Sequence, residues 1–175
     1  MFGKALGNGY AVTAVVGRSQ VMNAACKSFI SSTFWTEGIG TAAAIATLAE
    51  MERLKSWTTL PLIGKRVKDI WQQAAADVQL NIELSGIAAL PTFTFVNDNS
   101  LACKTLFVEL MLERGFLAST QFYPTLAHNN DRLLAEYQTA CYSVMGEISS
   151  ILNSGRPIKD FCSGEICRPT FQRLN

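Results

Sequence analysis

Apolar residues recur at spacings of three and four along four long stretches of the chain, and this period predicts four helices. The first runs from about Thr36 to Lys55, where a group of alanines favours helix. The second starts near Pro61 and places a set of apolar residues on one face, namely Ile63, Val67, Ile70, Trp71, Ala74 and Val78. The third and fourth are predicted at 101–114 and 129–152.

Residues with known capping preferences lie near the ends of these stretches. Thr36 is expected to cap the first helix, and Thr58 or Thr59 the second, with Pro61 in its first turn. Gly115 is expected to end the third helix. His128, just before the fourth, is interpreted as a residue that helps to cap it.

Shorter stretches of β-branched and aromatic residues predict strands at 11–17, 82–90, 92–96 and 116–120. The clearest case is residues 92–95, where threonine and phenylalanine alternate. The order of elements after residue 56 indicates a small α+β lobe with a mostly antiparallel sheet. Residues 1–55 do not fit this lobe and are interpreted as the end of a larger domain.

Composition narrows the classes of function. The chain has 175 residues, of which 49% are hydrophobic and 17% charged, with a net charge of +1. That length supports one sizeable core, and scattered basic residues give no indication of nucleic-acid binding. Five cysteines at irregular spacing predict free thiols in the cytoplasm, and one histidine makes a metal site improbable. No membrane span or signal peptide is predicted.

Two short segments contain residues that could carry chemistry. Lys4 lies between Gly3 and a glycine-rich turn at 7–9, and a lysine amine can form a Schiff base with a carbonyl compound. The hydroxyl cluster that includes Ser32 and Thr33 precedes a helix, where it could bind an anion. Taken separately, each segment is better explained without a ligand, as a surface lysine beside a turn and as a helix-capping turn.

Taken together, the segments resemble a known family. Residues 3–9 resemble the lysine signature of the class III aminotransferases, which depend on pyridoxal phosphate, and residues 11–18 resemble the strand that follows it. Residues 32–34 and 42–48 are similar to that family's hydroxyl segment and to the helix after it, and 110–115 and 127–131 to parts of its carboxy-terminal lobe. The best local match is to the glutamate-1-semialdehyde aminomutase-like branch.

The resemblance implies a specific fold and site. The fold would be mixed α+β and α/β, with residues 1–55 as the tail of the large cofactor-binding domain and 56–175 as a small carboxy-terminal α+β domain. Lys4 would bind pyridoxal 5'-phosphate as a Schiff base and then act as general acid and base. Thr33, and less strongly Ser32, would bind the cofactor phosphate across a homodimer interface. The substrates would be a small-molecule amino donor and a carbonyl acceptor.

Three alternatives stay open for the chain's activity. The first is part of an aminotransferase or aminomutase-like enzyme. The second is an isomerase that moves an amino group within one molecule, and the third is a non-catalytic dimerisation or binding remnant of such an enzyme. The amino-terminal half of the family, which supplies most of the cofactor's contacts, has no counterpart in these 175 residues. Weak or no activity is therefore expected from the chain alone.

Overall fold

The computed structural model describes residues 1–31 and 36–169, which form two compact units, Met1–Ser56 and Trp57–Asn175. Within these residues there are five α-helices and two β-strands. The helices are α1 (Ser19–Met22), α2 (Gly38–Leu54), α3 (Ser56–Asp77), α4 (Ser100–Glu113) and α5 (Asp131–Asn153), and the strands are β1 (Ile82–Ser85) and β2 (Thr92–Phe95). Short 3-10 turns occur at Lys4–Leu6, Ala25–Lys27, Leu126–His128 and Ile158–Phe161.

The first unit is built on α2 and the turns that precede it. The helix is 17 residues long, yet Gly40 is its one buried residue. The predicted strand at 11–17 is wrong, because only Ala14 pairs, in an isolated antiparallel bridge with Phe2. Both hydrogen bonds of that bridge are short, at 2.7 and 2.9 Å. Local β propensity forms a strand only where a neighbouring segment offers a continuous row of partners.

The second unit has a continuous hydrophobic core made by α3, β2, α4 and α5. Phe93 of β2 lies at its centre, with edge-to-face contacts to Trp71, Phe95 and Phe107 at centroid distances of 4.8, 5.3 and 5.2 Å. Such geometry adds about 0.5–1.5 kcal/mol per pair beyond area burial. The alternating strand pattern at 92–95 is thus explained, since both phenylalanines face the core.

The sheet is smaller than predicted. Strands β1 and β2 pair antiparallel, with Ile82 opposite Phe95 and Ser85 opposite Thr92. The predicted third strand at 116–120 is wrong: these residues form no strand, and Gln121, just after them, makes a single antiparallel bridge with Thr92 of β2. The first residue of the segment, Phe116, does not pair with β2, because its N–H donates to the carbonyl oxygen of Met111 in α4.

The helix ends also differ from the prediction. Helix α3 starts at Ser56 and continues through Pro61, so the expected caps Thr58 and Thr59 lie inside it. The position before α2 is occupied by Glu37, which makes no side-chain capping bond, so the expected Thr36 cap is wrong. Capping residues are common outside helix ends as well, so their presence does not fix a boundary.

Candidate functional site

Lys4 opens the 3-10 turn Lys4–Leu6 and has an unusual backbone conformation. Its φ is +52°, in the left-handed region that costs a residue with a side chain about 1–2 kcal/mol. The turn is closed by a hydrogen bond of 3.1 Å, which the Gly7 N–H donates to the Lys4 carbonyl oxygen. The residue is exposed. A strained backbone that presents an accessible amine is the kind of local cost that functional residues carry.

Glycines allow the loop after Lys4 to pack closely. A side chain on Gly7 would overlap the backbone oxygen of Tyr10. A Cβ on Gly40 would lie 2.7 Å from the backbone oxygen of Ala11, so the start of α2 also approaches this loop closely. Helix α2 also contacts the Lys4–Leu6 turn directly. Helix α2 therefore packs against the turn that contains Lys4 and against the loop that follows it.

The other two predicted site residues, Ser32 and Thr33, lie outside the described residues. Of the three, the structure places only Lys4. Among the residues that are described, the Lys4 amine takes part in no salt bridge. No described acidic group thus compensates its charge.

A cavity of about 550 Å³ lies in the second unit, between the segment 115–123 and the start of α5. Its wall contains a chain of ring contacts: Phe116 lies 5.5 Å from Tyr137, Tyr137 lies 6.2 Å from Phe122, and Phe122 lies 4.8 Å from His128. The sequence patterns treated these residues as parts of a strand, a loop and a helix face. Nothing in their spacing indicates a common cavity, because it forms only when the chain folds back between residue 123 and α5.

His128 is held in one orientation by the turn that it ends. The backbone N–H of Thr125 donates to its Nδ1 at 3.0 Å, and the Thr125 hydroxyl lies 3.2 Å from the same atom. Since Nδ1 accepts a hydrogen bond, the neutral ring carries its proton on Nε2. The expectation that His128 caps the last helix is wrong: α5 is capped by Asn130, whose side chain accepts from the Leu133 N–H at 3.1 Å.

Two buried groups beside the cavity are kept neutral. Desolvation raises the pKa of the Cys141 thiol to about 12 and the pKa of the Tyr137 hydroxyl well above its usual value. The Tyr137 oxygen accepts a 2.9 Å hydrogen bond from Nε1 of Trp71. Both are structural groups, since burial removes the charged forms that nucleophiles and bases need.

Residues 1–31 and 36–169 contain no cluster of three or more histidine, cysteine or acidic side chains suited to a metal ion. Nor does any helix in these ranges have the length and apolar character to cross a membrane.

Comparisons with curated proteins find enzymes that transfer amino groups. No protein-family model matches the sequence. The 3-aminobutyryl-CoA aminotransferase of Cloacimonas acidaminovorans (strain Evry) is 32% identical over 109 residues, which are 62% of this chain and 26% of that protein. The glutamate-1-semialdehyde 2,1-aminomutase of Bdellovibrio bacteriovorus is 26% identical over 150 residues, which are 75% of this chain and 35% of that protein. The chain thus spans about a quarter to a third of the length of these relatives.

Solved structures show the same fold. The internal aldimine form of the FumI protein of Sphingopyxis sp. MTA144, with pyridoxal phosphate, superposes with a TM-score of 0.75 at 20% identity. The match covers 85% of this chain and 36% of that one. A transaminase with pyridoxal phosphate bound gives a TM-score of 0.58 at 18% identity and covers 71% and 30% of the two chains. The helix-rich structure with its small antiparallel sheet is therefore a segment of this transaminase fold, as predicted.

The partial coverage of these matches is consistent with the predicted carboxy-terminal part of such an enzyme. In sequence and in fold, this chain is similar to a segment of the class III pyridoxal-phosphate-dependent aminotransferases and glutamate-1-semialdehyde aminomutases.

Proposed function

We propose that this chain takes part in the pyridoxal-phosphate-dependent transfer of an amino group, with Lys4 as the residue that binds the cofactor. The observation that carries the proposal is the conformation of Lys4: a left-handed residue in a tight turn, with its side chain exposed. The chain's similarity to aminotransferases and aminomutases supports the choice of reaction.

The described surroundings of Lys4 fit a flat cofactor. A Cβ built on Gly9 would meet nothing within 4 Å, so the turn after the lysine leaves open space there, whereas Gly7 packs against the backbone of Tyr10. The amine forms no described salt bridge, so it is available to a carbonyl group. The backbone is fixed by the Gly7 hydrogen bond and by α2, which would limit the orientations of an attached ring.

Lys4 would have two tasks in the reaction. Its Nζ, when unprotonated, is the nucleophile that holds the cofactor covalently through its aldehyde carbon. After release by the substrate amine, the same Nζ would take a proton from one carbon and return it to another. Bound pyridoxal phosphate supplies the electron sink that makes the first proton removable.

The remaining parts of the assignment are also proposals. Thr33 and Ser32 would bind the cofactor phosphate across a homodimer interface, and the substrates would be a small amino donor and a carbonyl acceptor. Residues 1–55 would be the tail of the large domain, residues 56–175 the small domain, and the location cytoplasmic. Because the chain spans only about a quarter to a third of its relatives, we propose weak or no turnover by the chain alone.

The test is covalent attachment and does not require activity. The purified chain is mixed with pyridoxal phosphate, its absorbance spectrum is recorded, and the product is reduced with borohydride for peptide mass spectrometry. We expect a cofactor-modified peptide at Lys4 and its loss in Lys4→Ala. Lys27→Ala is the matched control, since Lys27 is also exposed and also lies in a short 3-10 turn.

The outcomes separate the alternatives. Modification spread equally over Lys4 and Lys27 would overturn the assignment of Lys4, because it would be ordinary surface chemistry. No modification above that of the Lys4→Ala variant would favour the non-catalytic dimerisation or binding remnant.

A further inference from the structure

We propose that the cavity of the second unit is a binding site for an uncharged aromatic group that carries a hydrogen-bond acceptor such as a carbonyl oxygen. The inference rests on the cavity alone and does not depend on the role proposed for Lys4.

The size and wall of the cavity indicate a small ligand. Small-molecule sites have volumes of about 300–1,000 Å³ and are mostly apolar with a few placed polar groups. At about 550 Å³, this cavity is within that range. Its wall combines the rings of Phe116, Phe122, Tyr137 and His128 with the side chains of Leu133 and Leu134.

The ring geometry favours an aromatic occupant. Phe122 is inclined to His128 by 46° and to Tyr137 by 37°, while Phe116 meets Tyr137 at 73°. The rings of the wall are therefore inclined to one another and are not stacked in parallel. An aromatic guest can meet such a wall with edge-to-face or offset contacts, which a saturated chain cannot form.

The charges exclude an ionic occupant. The lining contains no lysine, arginine, aspartate or glutamate among the described residues. An ion that entered this wall would lose its hydration without gaining a partner of opposite charge, which is costly. The bound group is therefore neutral.

The polar part of the ligand follows from His128. Its Nδ1 is occupied by Thr125, so Nε2–H is the ring's remaining donor, and none of the described residues bonds to it. The Tyr137 oxygen already accepts from Trp71 inside the core. A ligand with an acceptor oxygen would satisfy the fixed Nε2–H, which gives the site its orientation.

The experiment compares three probes of similar shape against the full chain. Acetophenone has the ring and the acceptor, isopropylbenzene replaces the acceptor oxygen by a methyl group, and benzoate adds a charge. Binding is followed by chemical-shift changes in ¹⁵N-labelled protein. We expect acetophenone to bind about fivefold more tightly than isopropylbenzene, the value of one neutral hydrogen bond, and benzoate to bind most weakly.

Changing the probe tests the donor without mutating His128, whose Nδ1 also closes the Leu126–His128 turn. The location is tested by Ser119→Trp, which would fill the cavity from its lining, with Ser163→Trp as a control on an exposed residue elsewhere in the unit. We expect the first variant to lower acetophenone affinity at least tenfold and the second to leave it unchanged.

Three results would overturn the proposal: equal loss in both variants, isopropylbenzene binding as tightly as acetophenone, or benzoate binding most tightly. Adduct formation at Lys4 is read separately, so failure here leaves the proposed cofactor lysine untouched.

Discussion

Gly64 shows how a single missing side chain can position a loop against a helix. It lies in α3, and a Cβ there would overlap the backbone oxygen of Ala88 in the β1–β2 connection. Glycine inside a helix costs about 1 kcal/mol relative to alanine. Here the cost is offset because the loop packs directly on the helix backbone.

The prediction is that alanine has opposite effects at two helical glycines. Gly64→Ala should destabilise the chain by about 1–3 kcal/mol, because backbone must move to admit the methyl group. Gly146→Ala in α5 should stabilise it by about 0.5–1 kcal/mol, since the nearest atom to the new methyl is Cγ1 of Val78 at 3.8 Å. Urea unfolding of the two variants measures both values, and a stabilised Gly64→Ala would contradict the packing described.

The buried thiol of Cys141 predicts a loss of stability in alkali. Its pKa is about 12 in the folded chain against 9.0 for an exposed thiol, so folding favours the neutral form. That contribution is complete below pH 9 and is lost as the pH rises toward 12, because the unfolded chain releases the proton first.

We expect the stability of the wild-type chain to fall more steeply above pH 9 than that of Cys141→Ala, by up to about 1.4 kcal/mol per pH unit. Urea midpoints at several pH values between 7.5 and 10 measure the slope. Cys26→Ala is the control, because Cys26 is exposed in the folded chain. Equal slopes for all three proteins would show that the Cys141 thiol is not protected.

At the scale of elements, α3 and α5 are joined by a polar contact inside an apolar core. Trp71 is fully buried, and its indole N–H has the Tyr137 hydroxyl as its partner across the two helices. A buried donor without a partner costs about 1–3 kcal/mol. Loss of this hydrogen bond would therefore destabilise the fold mainly because the buried indole N–H would have no partner.

Tyr137→Phe should lower the free energy of unfolding by about 1–3 kcal/mol. The comparison is Tyr123→Phe, which should change stability by less than about 0.5 kcal/mol, because Tyr123 is 65% exposed. Thermal or urea unfolding followed by circular dichroism measures both. A neutral Tyr137→Phe would mean that water replaces the hydroxyl in the core.

The elements differ in how well the sequence predicts them. The predicted apolar face of α3 is confirmed for Ile63, Val67 and Trp71, which are buried. This prediction succeeds because the spacing of apolar residues along a helix determines which face is buried. Residues 116–120 do not form the predicted strand, since strand formation depends on a partner elsewhere in the chain. The predicted start of α3 is wrong because Pro61 lies in the second turn of the helix and not in its first.

At the scale of the whole molecule, the same contrast applies to function. Lys4 was predicted from its resemblance to a family signature, while its left-handed backbone is visible only in the structure. The cavity could not be predicted, because it forms where 115–123 meets the first turns of α5. A reactive residue in one short motif can be predicted from the sequence, whereas a cavity formed by two segments can be recognised only in the folded structure.

The exposed apolar residues of α2 predict association between chains. Ile45 and Leu48 are 65% and 55% exposed and lie three residues apart, on one side of the helix. Contiguous exposed apolar surface is uncommon in a monomer. We expect light scattering at micromolar concentration to show species larger than one chain.

The double substitution Ile45→Gln with Leu48→Gln should shift the mass toward that of the monomer while helix propensity is kept. Ala46→Gln with Glu50→Gln, at exposed positions on the other side of α2, is the matched control. If the wild-type chain were a monodisperse monomer, α2 would not mediate association between chains.

Helix α2 buries one residue out of 17, whereas α5 buries nine out of 23. A helix of that length is marginal in water without tertiary packing. In the variant with Ile45→Gln and Leu48→Gln, which lacks the associating side chains, the amide hydrogens of α2 should consequently exchange with deuterated solvent within minutes, through fraying that leaves the rest of the chain folded. Those at the centre of α5 should exchange only through global unfolding. Slower exchange along α2 in the wild-type chain would show that a second surface covers the helix in solution, so the exchange rate of α2 measures its occupancy by a partner.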